Sequence, residues 1–441
     1  MIDSLHSQAF ALGRQRETPF YVFSPTRLSS ALDRFNRFTS GLPFPTETYY
    51  SYKTNYLPAL CDQIADAAVG SEITSPTEWA AARQRHQSNR IVVNGIGKCA
   101  DGLLQRIADE VSTAPRLVNL ETDTEVSIVA QRSPEADPLP VGLRVTVPSV
   151  SGELGRDPSE HWNRGVTKFG WSADGNAVLN AARALAGNRA VRLEALHLHF
   201  GSQLVSAARY DIVLQRLCDL LQRLTSIGAT VSTLDLGGGL ASGWVTKRRT
   251  GPLFDLIKVL GLPTPKSQQK APDLDGITAA LHKHAARLSD LGVTRLILEP
   301  GRYLAEPAMV AVSKVIAVRR DGARRHAVVD LGTNGLHCWR GNETRPIAFD
   351  PSAKGEPEEI KLVGPLCHRS DSFGTVTAPS QLQPDDLVCF DAVGAYSLGD
   401  WVANAWPRPP VLGEDGSLLW TPPSHGLITG SPLPDGAEYE G

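Results

Sequence analysis

The 441-residue chain is 41% hydrophobic and 21% charged, the balance of a soluble globular protein with a sizeable core and roughly two or three domains. A formal net charge of −3 offers no general field for nucleic acid, and the basic run Lys247-Arg248-Arg249 is short enough to be a solvated loop. Six scattered cysteines without a C-x-x-C pair, and no apolar stretch of about 18 residues, exclude a disulfide framework, a zinc knuckle and a membrane span. Residues 1–17 mix charged and polar side chains without the apolar run of a secretion signal. A reducing, cytoplasmic setting is the expectation.

The first strand-like piece is 20–23. Next comes Tyr49-Tyr50-Ser51-Tyr52-Lys53, an apolar, β-favouring approach that delivers an amine at a strand end. Burial there is expected to lower the amine's pKa and make it nucleophilic, although such a lysine alone is as readily an ordinary surface residue. Strands are predicted at 49–53, 69–74, 91–94, 116–119, 141–147, 193–200, 233–236 and 295–298. Helical patterns fall between them at 76–85, 101–111, 123–131, 176–186, 210–227 and 277–291. This alternation predicts an α/β fold, a (β/α)8 TIM-like barrel with its site at the carboxyl ends of the strands.

Several strand ends carry chemistry. The sixth ends in His197-Leu198-His199-Phe200-Gly201-Ser202, with two histidines on one strand face. They read as a metal pair, as a core histidine beside a polar strand end, or as an imidazole laid over an aromatic ring. The metal reading lacks a convincing third ligand, with only His337 and Cys338 in view. The seventh ends in Asp235-Leu236-Gly237-Gly238-Gly239, where backbone amides can approach an anion closely or simply make a tight turn. Its spacing departs from a dinucleotide fingerprint. The eighth ends in Glu299-Pro300-Gly301-Arg302, a salt-bridged loop or a carboxylate and guanidinium facing a ligand.

Residues 240–275, rich in proline, read as an insertion. Beyond about residue 305 the texture turns β-rich, at 309–318, 326–330, 359–363 and 386–390, and predicts a C-terminal all-β barrel or sandwich domain. The expected division is 26–305 for the barrel and 1–25 plus 306–441 for the β domain, with the tail after residue 407 peripheral.

Lys53, the His197–His199 pair, the triple glycine and Glu299-Pro300-Gly301-Arg302, in this order, resemble the barrel-fold (fold type III) pyridoxal phosphate decarboxylases acting on diaminopimelate, ornithine or arginine. The resemblance runs nearly the whole chain, from Thr18-Pro19-Phe20-Tyr21-Val22 through Asn94-Gly95-Ile96-Gly97-Lys98 and Lys168-Phe169-Gly170. It continues to Gly364-Pro365-Leu366-Cys367 and Asp391-Ala392-Val393-Gly394-Ala395-Tyr396. It implies pyridoxal 5'-phosphate as cofactor, joined as an imine to Lys53, with His199 stacked on its ring and Glu299 at its ring nitrogen. Gly238, Gly239, Gly301, Arg302 and Tyr396 would hold the phosphate, with Ser202 a further candidate. Cys367 would return a proton to Cα from the partner subunit of a homodimer with shared sites.

The chain also departs from those relatives. His368 stands where an acidic residue would meet a distal amino group, and Leu336-His337-Cys338-Trp339-Arg340 replaces an Arg-Pro-x-x-Tyr element for a distal carboxylate. Ser75-Pro76-Thr77-Glu78 keeps only the tail of a Gly-Gly-Glu step. His368, Arg340 and Asp371 remain as substrate-facing candidates, and a non-standard amino acid is the expected substrate. The resemblance also leaves a racemase of related architecture, against which Glu299 speaks, and a catalytically inactive regulatory homologue, against which the retained site residues speak.

Overall fold

The computed structural model describes residues 3–110, 114–147, 168–202, 204–244, 246–247, 271–322, 324–336, 343–403 and 406–422. Eight parallel strands form a closed barrel: Thr46–Ser51 (β1), Gly70–Ile73 (β2), Ile91–Val93 (β3), Leu117–Leu120 (β4), Leu139–Thr146 (β5), Val191–His197 (β6), Thr233–Asp235 (β7) and Arg295–Leu298 (β8). Neighbours pair in order from β1 to β7, β8 joins β7 to β1, and the pairing Leu296↔Thr46 marks that closure. Strands covered on both faces read as apolar runs, and Ile91, Val92 and Val93 are fully buried. The polar exceptions cluster at the carboxyl ends, where the site lies.

All eight predicted strands are present, with ends shifted by up to three residues. β1 stops at Ser51, so Lys53 sits in the 3₁₀ turn Tyr52–Thr54, and β6 stops at His197, before His199. The helix Pro25–Ser40, absent from the sequence reading, begins at Ser24, whose hydroxyl accepts the Arg27 amide at 3.1 Å. Its Leu28, Leu32 and Phe35 fall on one buried face.

The strand Phe20–Phe23 pairs antiparallel with Met309–Asp321, on the far side of the barrel in sequence, and parallel with Val411–Gly413. Met309–Asp321 also pairs with Arg324–Val329 and Leu387–Phe390. Arg324–Val329 runs beside Pro357–Val363, which pairs in turn with Ser372–Pro379. The tail is therefore not wholly peripheral: Val411–Gly413 and Leu418–Trp420 are strands of this sheet. The amino terminus also departs from expectation. Ser4–Gly13 is a helix capped by Asp3, and it buries Leu5, Ala9 and Phe10 against Phe20, Val310 and Leu387.

Of the expected insertion, Leu240 and Ala241 are buried and Leu274 opens the helix Leu274–Asp290, whereas 245 and 248–270 lie outside the described residues. Among the described residues no helix is long and apolar enough to cross a membrane.

Candidate active site

The tyrosines before Lys53 are anchors. Tyr50 and Tyr52 are fully buried, their rings 6.0 Å apart, and the Tyr50 hydroxyl donates to the Asn55 carbonyl at 2.8 Å. This fixes the turn from which the Lys53 side chain, 43% exposed, stands in the barrel mouth. Its Nζ donates to Glu72 Oε2 at 2.8 Å and Oε1 at 3.0 Å. The Ser51 hydroxyl donates to the same Glu72 Oε2 at 2.5 Å.

The expected low pKa is overturned here. The protein walls around the amine push its pKa down, but the Glu72 carboxylate, with Glu299 behind it, outweighs them and lifts it to about 12. Burial works against the Glu72 anion as well, yet Lys53 and the donors Ser51 and Asn94 hold its carboxyl below the usual range. In this state Lys53 is an ammonium with a built counter-ion.

Glu299 sits deeper, 4% exposed, just past β8. Asn94 Nδ2 donates to its Oε1 at 2.7 Å, and His197 Nε2 is 3.7 Å from its Oε2. Burial and the nearby Asp235 and Glu72 charges push Glu299 well up, and burial lifts Asp235 to about 6. Three buried carboxyls so close together cannot all stay ionised, and Glu299 is the one that keeps a proton. His197 is driven well down by burial and by the Arg144 charge, so it is a neutral core imidazole. His199 stands in the mouth, where the surrounding protein and the Lys53 charge lower it to about 4. The two histidines thus occupy different environments; His337 and Cys338 lie outside the described residues.

The glycines stitch neighbouring strand ends together. A Cβ on Gly238 would overlap the Glu299 carbonyl, and one on Gly239, at φ +86°, would overlap the Gly201 carbonyl. The Gly238 and Gly239 amides donate to no acceptor among the described residues. Gly301 abuts Thr54 in the Lys53 turn. Arg302 lies 5.1 Å over the Tyr396 ring and 3.0 Å from Glu306 Oε1. Tyr396, which follows the β strand Leu387–Phe390, donates its backbone amide to the Thr54 carbonyl at 2.7 Å. The β domain is thereby tied to the lysine turn. Ser202 is exposed on the turn after His199.

Cys367 and His368 are exposed on the loop that ends at Asp371, and Ser370 Oγ is 2.7 Å from His368 Nδ1. Asp371, one of the substrate-facing candidates, is buried. Its carboxylate accepts the amides of Thr333 at 2.7 Å and Leu366 at 2.8 Å, so it fastens the loop from within. Arg340 lies outside the described residues. Glu72, Asn94 and Asn119 were given no site role from the sequence; the available signal was a carboxylate or amide near the end of an otherwise buried strand.

A primary amine in an open mouth, unspent amides on a glycine turn and a deep carboxyl define a barrel enzyme built for an aldehyde cofactor carrying an anionic group. Those residues fit pyridoxal phosphate by the chemistry of the donor set. Residues 28–306 match the pyridoxal-binding domain of the pyridoxal-dependent decarboxylases. The diaminopimelate decarboxylase of Corynebacterium efficiens is 30% identical, over 91% of this chain and 84% of that protein. That of Zymomonas mobilis is 27% identical, over 91% and 88%. The crystal structure of diaminopimelate decarboxylase from M. jannaschii with L-lysine shares the fold, with a TM-score of 0.77 at 22% identity, covering 97% of this chain and 94% of that one.

The chain belongs to the pyridoxal-dependent decarboxylase family. It is a pyridoxal-phosphate-dependent amino-acid decarboxylase, a carboxy-lyase.

Proposed function

We propose that Lys53 carries the cofactor and that the residues around it divide the work of decarboxylating an amino acid other than diaminopimelate. The observation that carries the site assignment is the Lys53–Glu72 pair, which joins the lysine just past the end of β1 to a buried carboxylate. Bound pyridoxal phosphate supplies an electron sink for the pair left behind when the Cα–carboxylate bond breaks.

The protein's part is binding, orientation and proton handling. The Gly238 and Gly239 amides, with Gly301, Arg302 and Tyr396, would hold the phosphate, with Ser202 a further candidate. His199, uncharged at neutral pH because its pKa is lowered to about 4, would stack on the ring without adding a charge. Glu299 keeps a proton at the ring nitrogen. Glu72 would hold the freed Lys53 side chain as an ammonium and so keep a proton on Nζ.

Cys367 is exposed in the single chain, which suits a thiol that crosses to a neighbouring site and protonates Cα there. The reading is therefore of a cytoplasmic homodimer with shared sites. His368 beside that thiol lacks the anionic charge that would favour a cationic substrate tail. With the altered element at 336–340, it supports a non-standard substrate. Carbon dioxide release across a panel of diamino and acidic amino acids tests this; diaminopimelate emerging as the best substrate by far refutes it.

A further inference from the structure

Asn94 lies between the two carboxyls of the site. Its Nδ2 donates to Glu72 Oε1 at 3.1 Å and to Glu299 Oε1 at 2.7 Å, and its Oδ1 accepts from Asn119 Nδ2 at 2.8 Å. Asn119 places its other N–H on Asp235 Oδ2 at 2.9 Å. A side-chain amide has two N–H donors and one carbonyl, so Asn94 has both hydrogens committed. Turned over, it would set its oxygen against two carboxyl oxygens and its NH2 against that of Asn119. All four side chains are buried, and such like-with-like contacts are costly without water. The amide orientation is fixed by the network.

The two carboxyls are served unequally. Glu72 accepts from Lys53 on both oxygens, from Ser51 on Oε2 and from Asn94 on Oε1, the environment of an anion. Glu299 accepts from Asn94 on Oε1 and shares a side-chain hydrogen bond with Asp235, while its Oε2 lies 3.7 Å from His197 Nε2. In a protonated carboxyl the carbonyl oxygen is the better acceptor, so the atom that takes the Asn94 hydrogen is the one without the proton.

We infer that Asn94 is a positioning residue: pinned by Asn119, it takes Oε1 of both Glu72 and Glu299 and confines the Glu299 proton to Oε2. The inference deepens the decarboxylase reading and rests on it for its purpose, since a carboxyl proton held on one oxygen would be the one available to the cofactor's ring nitrogen. Asn94 also keeps the lysine-side anion and the ring-side acid in different charge states, although one amide serves both.

Infrared difference spectra of the full chain stripped of cofactor, near neutral pH, test this. The C=O stretch of a protonated carboxyl rises in wavenumber when a hydrogen bond to its carbonyl oxygen is removed. Glu299→Gln should delete the buried carboxyl band and so assign it. Asn94→Ala should move that band to higher wavenumber. Asn119→Ala, which releases the Asn94 amide but leaves it present, should shift the band the same way, and it serves if Asn94→Ala does not fold. A purely structural Asn94 would lower stability and leave the band in place. An unmoved band in both variants, or no band lost in Glu299→Gln, overturns the inference. Failure of the wild-type chain to bind pyridoxal phosphate would instead sink the decarboxylase reading, without bearing on the band.

Discussion

Lys53 and Glu72 form a two-pronged ion pair, with both carboxylate oxygens within 3.0 Å of one amine. Its consequence is electrostatic: the pair reverses the effect of burial on the lysine. Glu72→Gln should therefore bring the Lys53 amine down from about 12. Each unit of pKa is a tenfold change in the reactive free amine, and an opposite charge at this range is worth about one to three such factors. The apoprotein's Lys53 should acylate roughly tenfold or more faster at a fixed pH near 9, read by peptide mass spectrometry. The pair's contribution to folding is complete below the unfolded lysine's pKa of about 10.4 and disappears as pH rises through about 12.

His199 should not titrate between pH 5 and 8. Its imidazole is lowered to about 4, against about 6.5 in an unfolded chain. Between those values only the unfolded chain takes up the proton, so acidification through that window removes stability. Histidine ring resonances followed by NMR check this; a midpoint near 6.5 contradicts it. His199→Ala should also weaken cofactor binding by about 1 kcal/mol, the scale of one ring-on-ring contact, measured by titration with pyridoxal phosphate.

Gly239→Ala should destabilise the chain by about 1–3 kcal/mol, because its φ of +86° and the adjacent Gly201 carbonyl leave no room for a Cβ. The turn can relieve this only by moving amides that face the anion site, so cofactor affinity should fall as well. Denaturant melts and cofactor titration measure the two effects, and a variant with wild-type values for both would contradict the account.

Asp371→Asn should lower stability and leave substrate KM nearly unchanged. The buried carboxylate accepts the amides of Thr333 and Leu366. An asparagine presents one of them with an NH2, at a cost of about 1–3 kcal/mol. A large rise in KM without loss of stability would instead place Asp371 among the substrate contacts.

The barrel was legible because runs such as Ile91-Val92-Val93 are apolar at every position, and only strands covered on both faces need that. Lys53 and Glu299 stood out by the same logic, as charges ending apolar runs. Their partners did not, since closure brings together residues far apart in the chain: Asn94 meets Glu299 across 205 residues. The sign of the Lys53 shift was misread for this reason. Burial can be guessed from the flanking tyrosines, whereas the compensating carboxylate comes from β2 and is placed by strand pairing. Ser4–Gly13 and the strands near the carboxyl terminus were missed because their apolar residues are few and gain meaning only against the sheet they cover.

The central claim is that Lys53 is the cofactor's point of attachment. Pyridoxal phosphate is added to the purified chain, the adduct is reduced with borohydride, and the labelled peptide is located by mass spectrometry. The account predicts a yellow protein whose reduced label falls on Lys53 and is lost in a folded Lys53→Ala variant. A colourless wild-type chain, or a label on another residue with undiminished turnover in Lys53→Ala, would contradict it.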